Sequence, residues 1–186
     1  MRKNFGAKTV LYPMPVLIIG TYDENGVPNA MNAAWGGISE ENEITICVSD
    51  DHKTAKNLAV GGAFTVAMAD VQNLAAADLV GIVSGNDQPD KLKKTGWHAQ
   101  KSEFVNAPLF DELPVALECT VISYDAAACR LIGRIENLSA DERVLDARGK
   151  IDLSRFLPIV YDPMGHGYYR LGEKVGQAFS DGKKLK

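Results

Sequence analysis

The sequence predicts a mainly β protein with helical insertions, built as an antiparallel barrel. Apolar runs of strand length are joined by short turns typical of hairpins, and helical segments interrupt the series of strands. The regular strand–helix alternation of a doubly wound parallel sheet is missing. With 186 residues and no internal repeat, the chain 1–186 is expected to form a single domain.

Composition restricts the function classes. Hydrophobic residues make up 46% of the chain, and 20 basic against 24 acidic side chains give a net charge of -4. This mild acidity argues against a nucleic-acid binder, which usually presents a basic face. No stretch approaches the roughly 20 apolar residues of a membrane span, and no secretory signal is expected. Three scattered cysteines, Cys47, Cys119 and Cys129, fit a reduced, cytoplasmic chain.

The first third of the chain predicts three strands. Residues 16–22 form a continuous apolar run, which is typical of a buried strand. Asn25-Gly26 predicts a type I′ hairpin turn, because both central positions of that turn need a positive φ. A second strand is expected from residue 28 to about residue 38. A third is expected over residues 44–49, where apolar and polar side chains alternate.

Three helices are predicted from their capping residues. They run from Asp50 or Asp51 to Gly61-Gly62, from Asp70 through residues 71–80, and from residues 87–90 to Gly96. Further strands are predicted over residues 63–68, 115–124, 129–138 and 158–161. Residues 99–112 are expected to be irregular. Residues 168–179 are rich in aromatic side chains and are expected to pack against another part of the structure.

Residues 29–35 are unusually small and amide-rich for a strand. Small side chains let a flat ligand approach the backbone, while Asn29 and Asn32 need polar partners if they are buried. A ligand with carbonyl and imide edges would supply those partners. The alternative is a crowded barrel interior, in which small residues are also common, with Trp35 as an ordinary core residue.

Residues 49–57 are the best candidate for a phosphate site. The free N–H groups and the dipole of a helix start favour an anion, Lys53 adds charge, and Ser49 and Thr54 add hydroxyl donors. The alternative is an ordinary capped helix whose Lys53 faces solvent. The aspartates before the helix would also repel an anion unless they face away. Together the two segments predict a ligand with a flat ring and a phosphate tail.

Motifs of several other chemistries are missing. No strand is followed by G-x-G-x-x-G, and no G-x-x-x-x-G-K-[ST] occurs. The histidines, His52, His98 and His166, are scattered along the chain and form no local metal motif. Nothing near the cysteines marks one of them as an activated nucleophile. No metal ligand and no catalytic side chain is therefore predicted.

Short motifs in a characteristic order run through nearly the whole chain. They are Pro15-Val16 with Ile18-Ile19-Gly20-Thr21, Gly26-x-x-Asn29-Ala30-Met31-x-Ala33-Ala34-Trp35, Ser49-x-x-His52-Lys53-Thr54-x-x-Asn57, Phe64-Thr65-Val66, Lys94-Thr95-Gly96-Trp97, Ala107-Pro108-Leu109, Leu117-Glu118-Cys119 and Leu171-Gly172-Glu173-Lys174-Val175-Gly176. In order and spacing they resemble the flavin reductase-like FMN-binding split-barrel family, and more closely its flavoredoxin branch.

The resemblance implies a split β-barrel homodimer that binds one FMN per subunit non-covalently near the dimer interface. By similarity, residues 29–35 lie along the isoalloxazine ring and residues 49–57 hold the ribityl phosphate. The cofactor contacts implied in this way are Asn29, Ala30, Met31, Asn32, Ala33, Ala34, Trp35, Ser49, His52, Lys53, Thr54 and Asn57. The aromatic C-terminal segment would pack near the flavin or the partner subunit.

The function that the resemblance implies is that of an FMN-dependent oxidoreductase, which moves hydride or electrons through bound FMN. The donor would be NAD(P)H, as in a flavin reductase, or a redox protein, as in a flavoredoxin. Flavin carries the chemistry, so no catalytic acid or base is required. A non-redox split-barrel module for another ligand is one alternative. A metal-dependent enzyme that uses the scattered histidines and carboxylates is a weaker one.

Overall fold

The computed structural model describes residues 1–185, which form twelve β-strands, four α-helices and two 3₁₀ turns. The strands are β1 (Met14–Pro15), β2 (Leu17–Tyr22), β3 (Pro28–Ala33), β4 (Gly36–Glu40), β5 (Glu43–Cys47), β6 (Ala63–Met68), β7 (Ala99–Lys101), β8 (Pro108–Phe110), β9 (Val115–Asp125), β10 (Arg130–Ala140), β11 (Ile159–Asp162) and β12 (Gly167–Arg170). The helices are α1 (Lys53–Gly61), α2 (Leu74–Ile82), α3 (Lys91–Thr95) and α4 (Leu153–Phe156), and the 3₁₀ turns are Glu142–Val144 and Asp181–Leu185.

Seven strands form one antiparallel sheet in the order β3-β2-β6-β9-β10-β5-β4. β3 and β4 are its two edges, although only Ala34 and Trp35 separate them in sequence. The sheet must therefore curl back on itself into a half-barrel, and the Cys47 N–H donates to the Trp35 carbonyl oxygen at 2.8 Å. The strand predicted over residues 28–38 is thus two strands, because β3 pairs with β2 and β4 pairs with β5.

Apolar cores lie on both faces of this sheet, and β2 contributes to each. Ile19 packs inside the curled sheet with Phe64 and Leu131. Ile18 packs on the other face, where Val80 of α2 covers the sheet. Both isoleucines are fully buried, which confirms that the apolar run of residues 16–22 is a strand buried on both faces.

The turn between β2 and β3 is not the predicted type I′ turn. Gly26 has a φ of +75°, but Asn25 does not have a positive φ. Asp23 holds the turn instead, since its Oδ1 accepts hydrogen bonds from the N–H groups of Asn25 and Val27, both at 2.9 Å. Such side-chain bonds stabilise a turn without the backbone geometry that Asn-Gly prefers.

The predicted cap of α1 is wrong at its start and correct at its end. Neither Asp50 nor Asp51 caps the helix: the N-cap residue is His52, whose side chain makes no capping hydrogen bond. At the C-terminal end, Gly62 adopts the left-handed conformation with a φ of +63°, and its N–H donates to the Leu58 carbonyl oxygen. This leaves the N-terminal end of α1 open to another hydrogen-bond partner.

The start of α2 also differs from the prediction. Asp70 forms an isolated bridge with Pro158, and the helix does not begin directly after it. Asn73 is the N-cap, and its N–H donates to Asp70 Oδ1 at 2.9 Å, so that α2 starts three residues later than expected, at Leu74. The predicted short third helix is confirmed, and Gly96 ends it with a φ of +74°.

Residues 99–112, which were expected to be irregular, contain the β7–β8 hairpin. A buried carboxylate fixes this segment. Glu118 of β9 accepts hydrogen bonds from Ser102 Oγ and from Asn137 Nδ2, and Ser102 Oγ accepts from the Val105 N–H at 2.9 Å. These contacts join positions far apart in sequence, so the local pattern does not predict the hairpin.

The C-terminal segment packs within the chain over only part of its length. The predicted short strand is confirmed as β11, and β12 follows it. Tyr168 is half-buried and donates to Asp78 Oδ1 at 2.8 Å, whereas residues 171–185 are exposed. Val175 and Phe179 are 96% and 98% exposed. The packing predicted for residues 168–179 is therefore present in the single chain only near its start.

Two further properties bear on the class of protein. None of the helices in residues 1–185 has the length and apolar character needed to cross a membrane. Cys47, Cys119 and Cys129 are free thiols, and burial raises the pKa of Cys119 to about 12.

Candidate functional site

A cavity of about 390 Å³ opens between β3, the start of α1 and the loop that follows α2. We call it the first lobe. It is lined by Asn29, Met31 and Asn32 of β3, by Asp51, His52, Lys53 and Thr54 at the start of α1, and by residues 80–87 and Lys91 from α2, its loop and α3. The two segments singled out from the sequence thus meet at one cavity.

The start of α1 presents backbone donors at the first lobe. The first N–H groups of a helix have no intrahelical acceptor, and here no side chain caps them and no acidic residue lies in the first turn. Lys53 and Thr54 occupy the first two helical positions. This end of α1 therefore favours an anion through its dipole, its free donors and its lysine.

Lys53 and Thr54 connect the helix to the neighbouring strands. Lys53 Nζ lies 3.4 Å from Asp23 Oδ2 on the β2–β3 turn. The backbone N–H of Val27 and, to a smaller extent, Lys53 hold the pKa of Asp23 below its usual value. The Thr54 hydroxyl is buried and accepts a hydrogen bond from Asn29 Nδ2 at 3.1 Å. Lys53 is therefore half-buried and contacts Asp23, so it does not simply face solvent.

A second cation lies at the back of the first lobe. Lys91 is 3% exposed, and its Nζ donates to the carbonyl oxygens of Val80 at 3.0 Å and Val83 at 2.7 Å, near the end of α2. Burial lowers the pKa of Lys91 to about 8, and no carboxylate within residues 1–185 contributes to that pKa. An anion in the lobe would supply the missing counter-charge.

The first lobe continues along β3 into a second cavity of about 340 Å³, the second lobe. Asn32, Gly81 and Ile82 line both lobes. The other residues that line the second lobe are Val16, Ala34, Asp78, Tyr161, His166 and Tyr168. Its lining combines the small residues Ala34 and Gly81 with the aromatic side chains of Tyr161, His166 and Tyr168 and the polar side chain of Asn32, which suits a flat ring with a polar edge.

Comparison with known proteins identifies the family to which the chain belongs. The sequence profile described as "Flavin reductase like domain" matches residues 9–167. The chain belongs to this family. Its fold is the predicted split barrel, and both family and fold imply a flavin-binding redox function.

Solved structures of the same fold include two flavoredoxins. Flavoredoxin of Desulfovibrio vulgaris (Miyazaki F) is 34% identical with a TM-score of 0.93, and the match covers 98% of this chain and 100% of that one. Flavoredoxin from Methanosarcina acetivorans is 26% identical with a TM-score of 0.87, over 100% of both chains. An FMN-binding domain of a flavin reductases-like enzyme from Shewanella baltica OS155 is 20% identical with a TM-score of 0.78, over 88% of each chain, a likeness of fold alone.

Seven of the predicted contact residues of this flavin reductase-like chain line the two lobes. They are Asn29, Met31, Asn32, Ala34, His52, Lys53 and Thr54. Asn32 lines both lobes, Ala34 lines the second lobe, and the other five line the first lobe. The structure thus brings the helix start and part of the segment 29–35 into one groove.

The other five predicted residues lie outside the two lobes. Ala30 and Ala33 are buried in the two cores. The buried Asn57 donates to Thr21 Oγ1 at 3.0 Å, and Ser49 Oγ lies 3.9 Å from Cys129 Sγ. Trp35 is 53% exposed, so it is not a core residue. It lines a third cavity of about 490 Å³, together with Ala34 and residues 8–11 of the N-terminal arm.

Several residues of the groove were not expected from the sequence. Lys91 and the loop after α2 complete the first lobe, while Tyr161, His166 and Tyr168 form a wall of the second. The run Ser84-Gly85-Asn86 follows an alanine-rich helix. Its glycine could have indicated a loop that closely approaches a neighbouring segment. The other residues lie more than 30 positions from the predicted segments and carried no local signal.

The three histidines stay apart in the structure. His52 lines the first lobe, His98 Nδ1 lies 2.6 Å from Glu112 Oε1, and His166 lines the second lobe. Within residues 1–185 no group of three or more His, Cys, Asp or Glu side chains could hold a metal ion. The alternative of a metal-dependent enzyme therefore gains no site from the described residues.

Gly85 lets the loop after α2 approach the first lobe closely. We predict that a side chain at this position would hinder ligand binding. A Cβ at this position would collide with Asn29 Oδ1 and would press on Lys53 Cβ and Cγ at 3.3 Å. Gly85→Ala is expected to weaken flavin binding by at least about tenfold, or ~1.4 kcal/mol. Gly61→Ala is the matched control, because its Cβ would meet only the Tyr22 carbonyl oxygen at 3.9 Å. Equal flavin affinities of the two variants in a fluorescence titration would refute this role.

Proposed function

We propose that this chain is an FMN-dependent oxidoreductase that moves hydride or electrons through non-covalently bound FMN. The observation that carries the proposal is the two-lobed groove along β3. One lobe has an uncapped helix start and two cations, with Asp51 and Asp87 also in its lining, and the other combines small residues with aromatic side chains. Phosphate suits the first lobe, and a flat ring suits the second.

The residues of the first lobe would hold the phosphate. Lys53 and the backbone N–H groups at the start of α1 would donate to its oxygens, and the Thr54 hydroxyl would add a donor. The buried Lys91 would neutralise the remaining charge, because it has no carboxylate of its own. Asn29 would position Thr54 through the hydrogen bond between them.

The residues of the second lobe would hold the ring. Asn32 is fixed by its hydrogen bond from Nδ2 to the Ala77 carbonyl oxygen at 3.0 Å, and Ala34 leaves room beside the backbone of the strand. When bound, the flavin supplies the electron-transfer chemistry. The protein orients it, limits the access of water and sets the hydrogen bonds at its polar edge. Trp35, which follows Ala34 in the link between β3 and β4, would cover the exposed part of the ring.

The choice of FMN and of its donor is part of the proposal. FMN is supported by the phosphate-suited lobe and by the FMN-binding neighbour of the same fold. The donor is NAD(P)H or a redox protein. Steady-state oxidation of NADH and NADPH with added free FMN separates these two cases. Turnover that rises with free FMN identifies a flavin reductase. Electron transfer from a reduced protein without NAD(P)H turnover identifies a flavoredoxin-like carrier.

We also propose that the chain acts as a cytoplasmic homodimer. The N-terminal arm and the C-terminal segment expose apolar side chains, among them Phe5, Leu11, Val175 and Phe179, and a second copy would cover them. Free thiols at all three cysteines suit a reducing compartment. Sedimentation equilibrium should give twice the 20.1 kDa of one chain. A mass of one chain at micromolar concentration would contradict the dimer.

A further inference from the structure

The wall of the second lobe contains a hydrogen-bonded pair that leads from solvent to the cavity. Tyr161 of β11 is half-buried, and its hydroxyl lies 2.7 Å from His166 Nδ1 in the turn between β11 and β12. Both side chains line the second lobe, and His166 is also exposed to solvent. The tautomer of the imidazole decides which partner donates, and a proton can cross the bond in either case.

Tyr168 beside this pair has a different partner. It is the cross-strand neighbour of Tyr161, with ring centroids 6.0 Å apart. Its hydroxyl donates to Asp78 Oδ1 at 2.8 Å, and burial together with this bond raises the pKa of Tyr168 to about 12. Its proton is therefore held by Asp78. Of the two tyrosines, Tyr161 is the one hydrogen-bonded to an imidazole, which can donate at one ring nitrogen and accept at the other.

The backbone at His166 also distinguishes this residue. His166 adopts a left-handed φ of +55°, a conformation that favours glycine. The neighbouring residues in sequence are both glycines, yet the histidine occupies this position. A non-glycine residue in this conformation costs of order 1 kcal/mol, and such residues cluster at functional sites. The turn that holds it is built by Asp162, whose carbonyl oxygen accepts from the His166 N–H at 2.9 Å.

Two carboxylates lie near the pair, and each accepts a hydrogen bond from another group. Asp162 precedes the turn, and its carboxylate accepts hydrogen bonds from the Tyr12 hydroxyl and from the Met164 N–H, which hold the pKa of Asp162 below its usual value. Asp78 of α2 is occupied by Tyr168. Neither carboxylate forms an ion pair with the His166 imidazole in the described chain.

We propose that Tyr161 and His166 form a proton path from solvent to the ring in the second lobe. This inference rests on the proposed function. Reduction of the ring, by a hydride from a nicotinamide or by electrons from a protein, needs protons in addition. In the step, His166 Nε2 takes up a proton from water and Nδ1 gives its proton to the Tyr161 oxygen. With a flavin bound, the Tyr161 hydroxyl would then give up its proton at the second lobe, so one proton enters and no residue changes its oxidation state.

The test separates proton uptake from electron arrival. The FMN-loaded protein is mixed anaerobically with reduced methyl viologen, which releases no proton when it is oxidised. Visible absorbance follows reduction of the flavin, and a pH-indicator dye in weak buffer follows proton uptake. In the wild type the two signals should coincide. His166→Gly, which suits the left-handed backbone, should delay proton uptake by roughly 100-fold, and added imidazole should restore it.

Further variants keep the proposal falsifiable. Tyr161→Phe should give the same delay, but imidazole should not restore proton uptake. Tyr169→Phe is the control, because Tyr169 is an exposed tyrosine of the same strand as Tyr168 and does not line the second lobe. Each variant is saturated with FMN before mixing, so that a change in FMN affinity does not enter the comparison of proton uptake with reduction. Proton uptake that keeps pace with reduction in both His166→Gly and Tyr161→Phe would overturn the proposal. A wild type that takes up no FMN would instead overturn the proposed function.

Discussion

Replacing Lys53 and Thr54 together by alanine should weaken FMN binding by at least about 100-fold, because hydrogen bonds to a charged group contribute ~1.5–3 kcal/mol each. Lys53 provides the cation at the helix start, and Thr54 lies in the first turn of the same helix. Affinity for riboflavin, which lacks the phosphate, should fall much less. Calorimetric titration with both ligands therefore measures how much of the loss belongs to the phosphate.

Three comparisons make this double substitution interpretable. Lys94→Ala removes one positive charge from an exposed lysine of α3 that contacts Gln88 rather than the first lobe, so FMN affinity should be unchanged. Thr54→Ser keeps the hydroxyl that accepts from Asn29 and should retain most of the affinity. A thermal unfolding curve reports whether the double variant is folded. A folded double variant that binds FMN like the wild type would exclude the start of α1 as the phosphate site.

Raising the pH above about 8 should weaken FMN binding through Lys91. Burial lowers the pKa of this lysine to about 8 in the free protein. A phosphate in the first lobe would favour the ammonium and raise that pKa, so FMN binds preferentially to the protonated form. The dissociation constant should then be flat below pH 8 and rise by up to about tenfold per pH unit above it. Lys91→Met should bind more weakly at pH 7 and lose this rise.

The same lysine gives a stability test that needs no ligand. Its pKa is about 8 in the folded chain against an ordinary value of 10.5, so the folded state releases the proton first. The unfolded state then binds more protons between these values, and the free energy of unfolding contributed by Lys91 rises with pH. Urea unfolding at pH 7.5 and pH 9 should show this rise in the wild type relative to Lys91→Met. An identical pH response of the two proteins would mean that Lys91 is not buried as described.

The sequence predicted those parts of the fold that depend on local chemistry. The apolar run of residues 16–22 predicted a buried strand. The run is continuous because both faces of β2 are covered. Gly62 and Gly96 could be read as helix ends because both adopt the left-handed conformation that glycine favours. The segments chosen for the ring and for the phosphate meet in one groove, since β3 and the start of α1 are joined by the hydrogen bond between Asn29 and Thr54.

The features that were missed depend on contacts between distant residues. Lys91 reaches the first lobe because α3 packs beside the end of α2, and nothing in its own sequence neighbourhood indicates burial. Tyr161 and His166 belong to the β11–β12 hairpin, which is joined to the distant strand β1, and this pairing carried no local signal. Asp50 and Asp51 looked like helix caps by residue type alone, yet the turn places His52 at the N-cap position.

A visible absorption spectrum of the protein purified without added flavin, followed by titration with FMN, decides whether the groove is a flavin site. We expect a yellow protein, or a colourless one that takes up FMN to one molecule per chain with quenched flavin fluorescence. The Lys53→Ala, Thr54→Ala double variant, measured beside it, should take up little. A folded wild-type protein that is colourless and takes up no FMN would contradict the account and would leave a non-redox binding module as the better description.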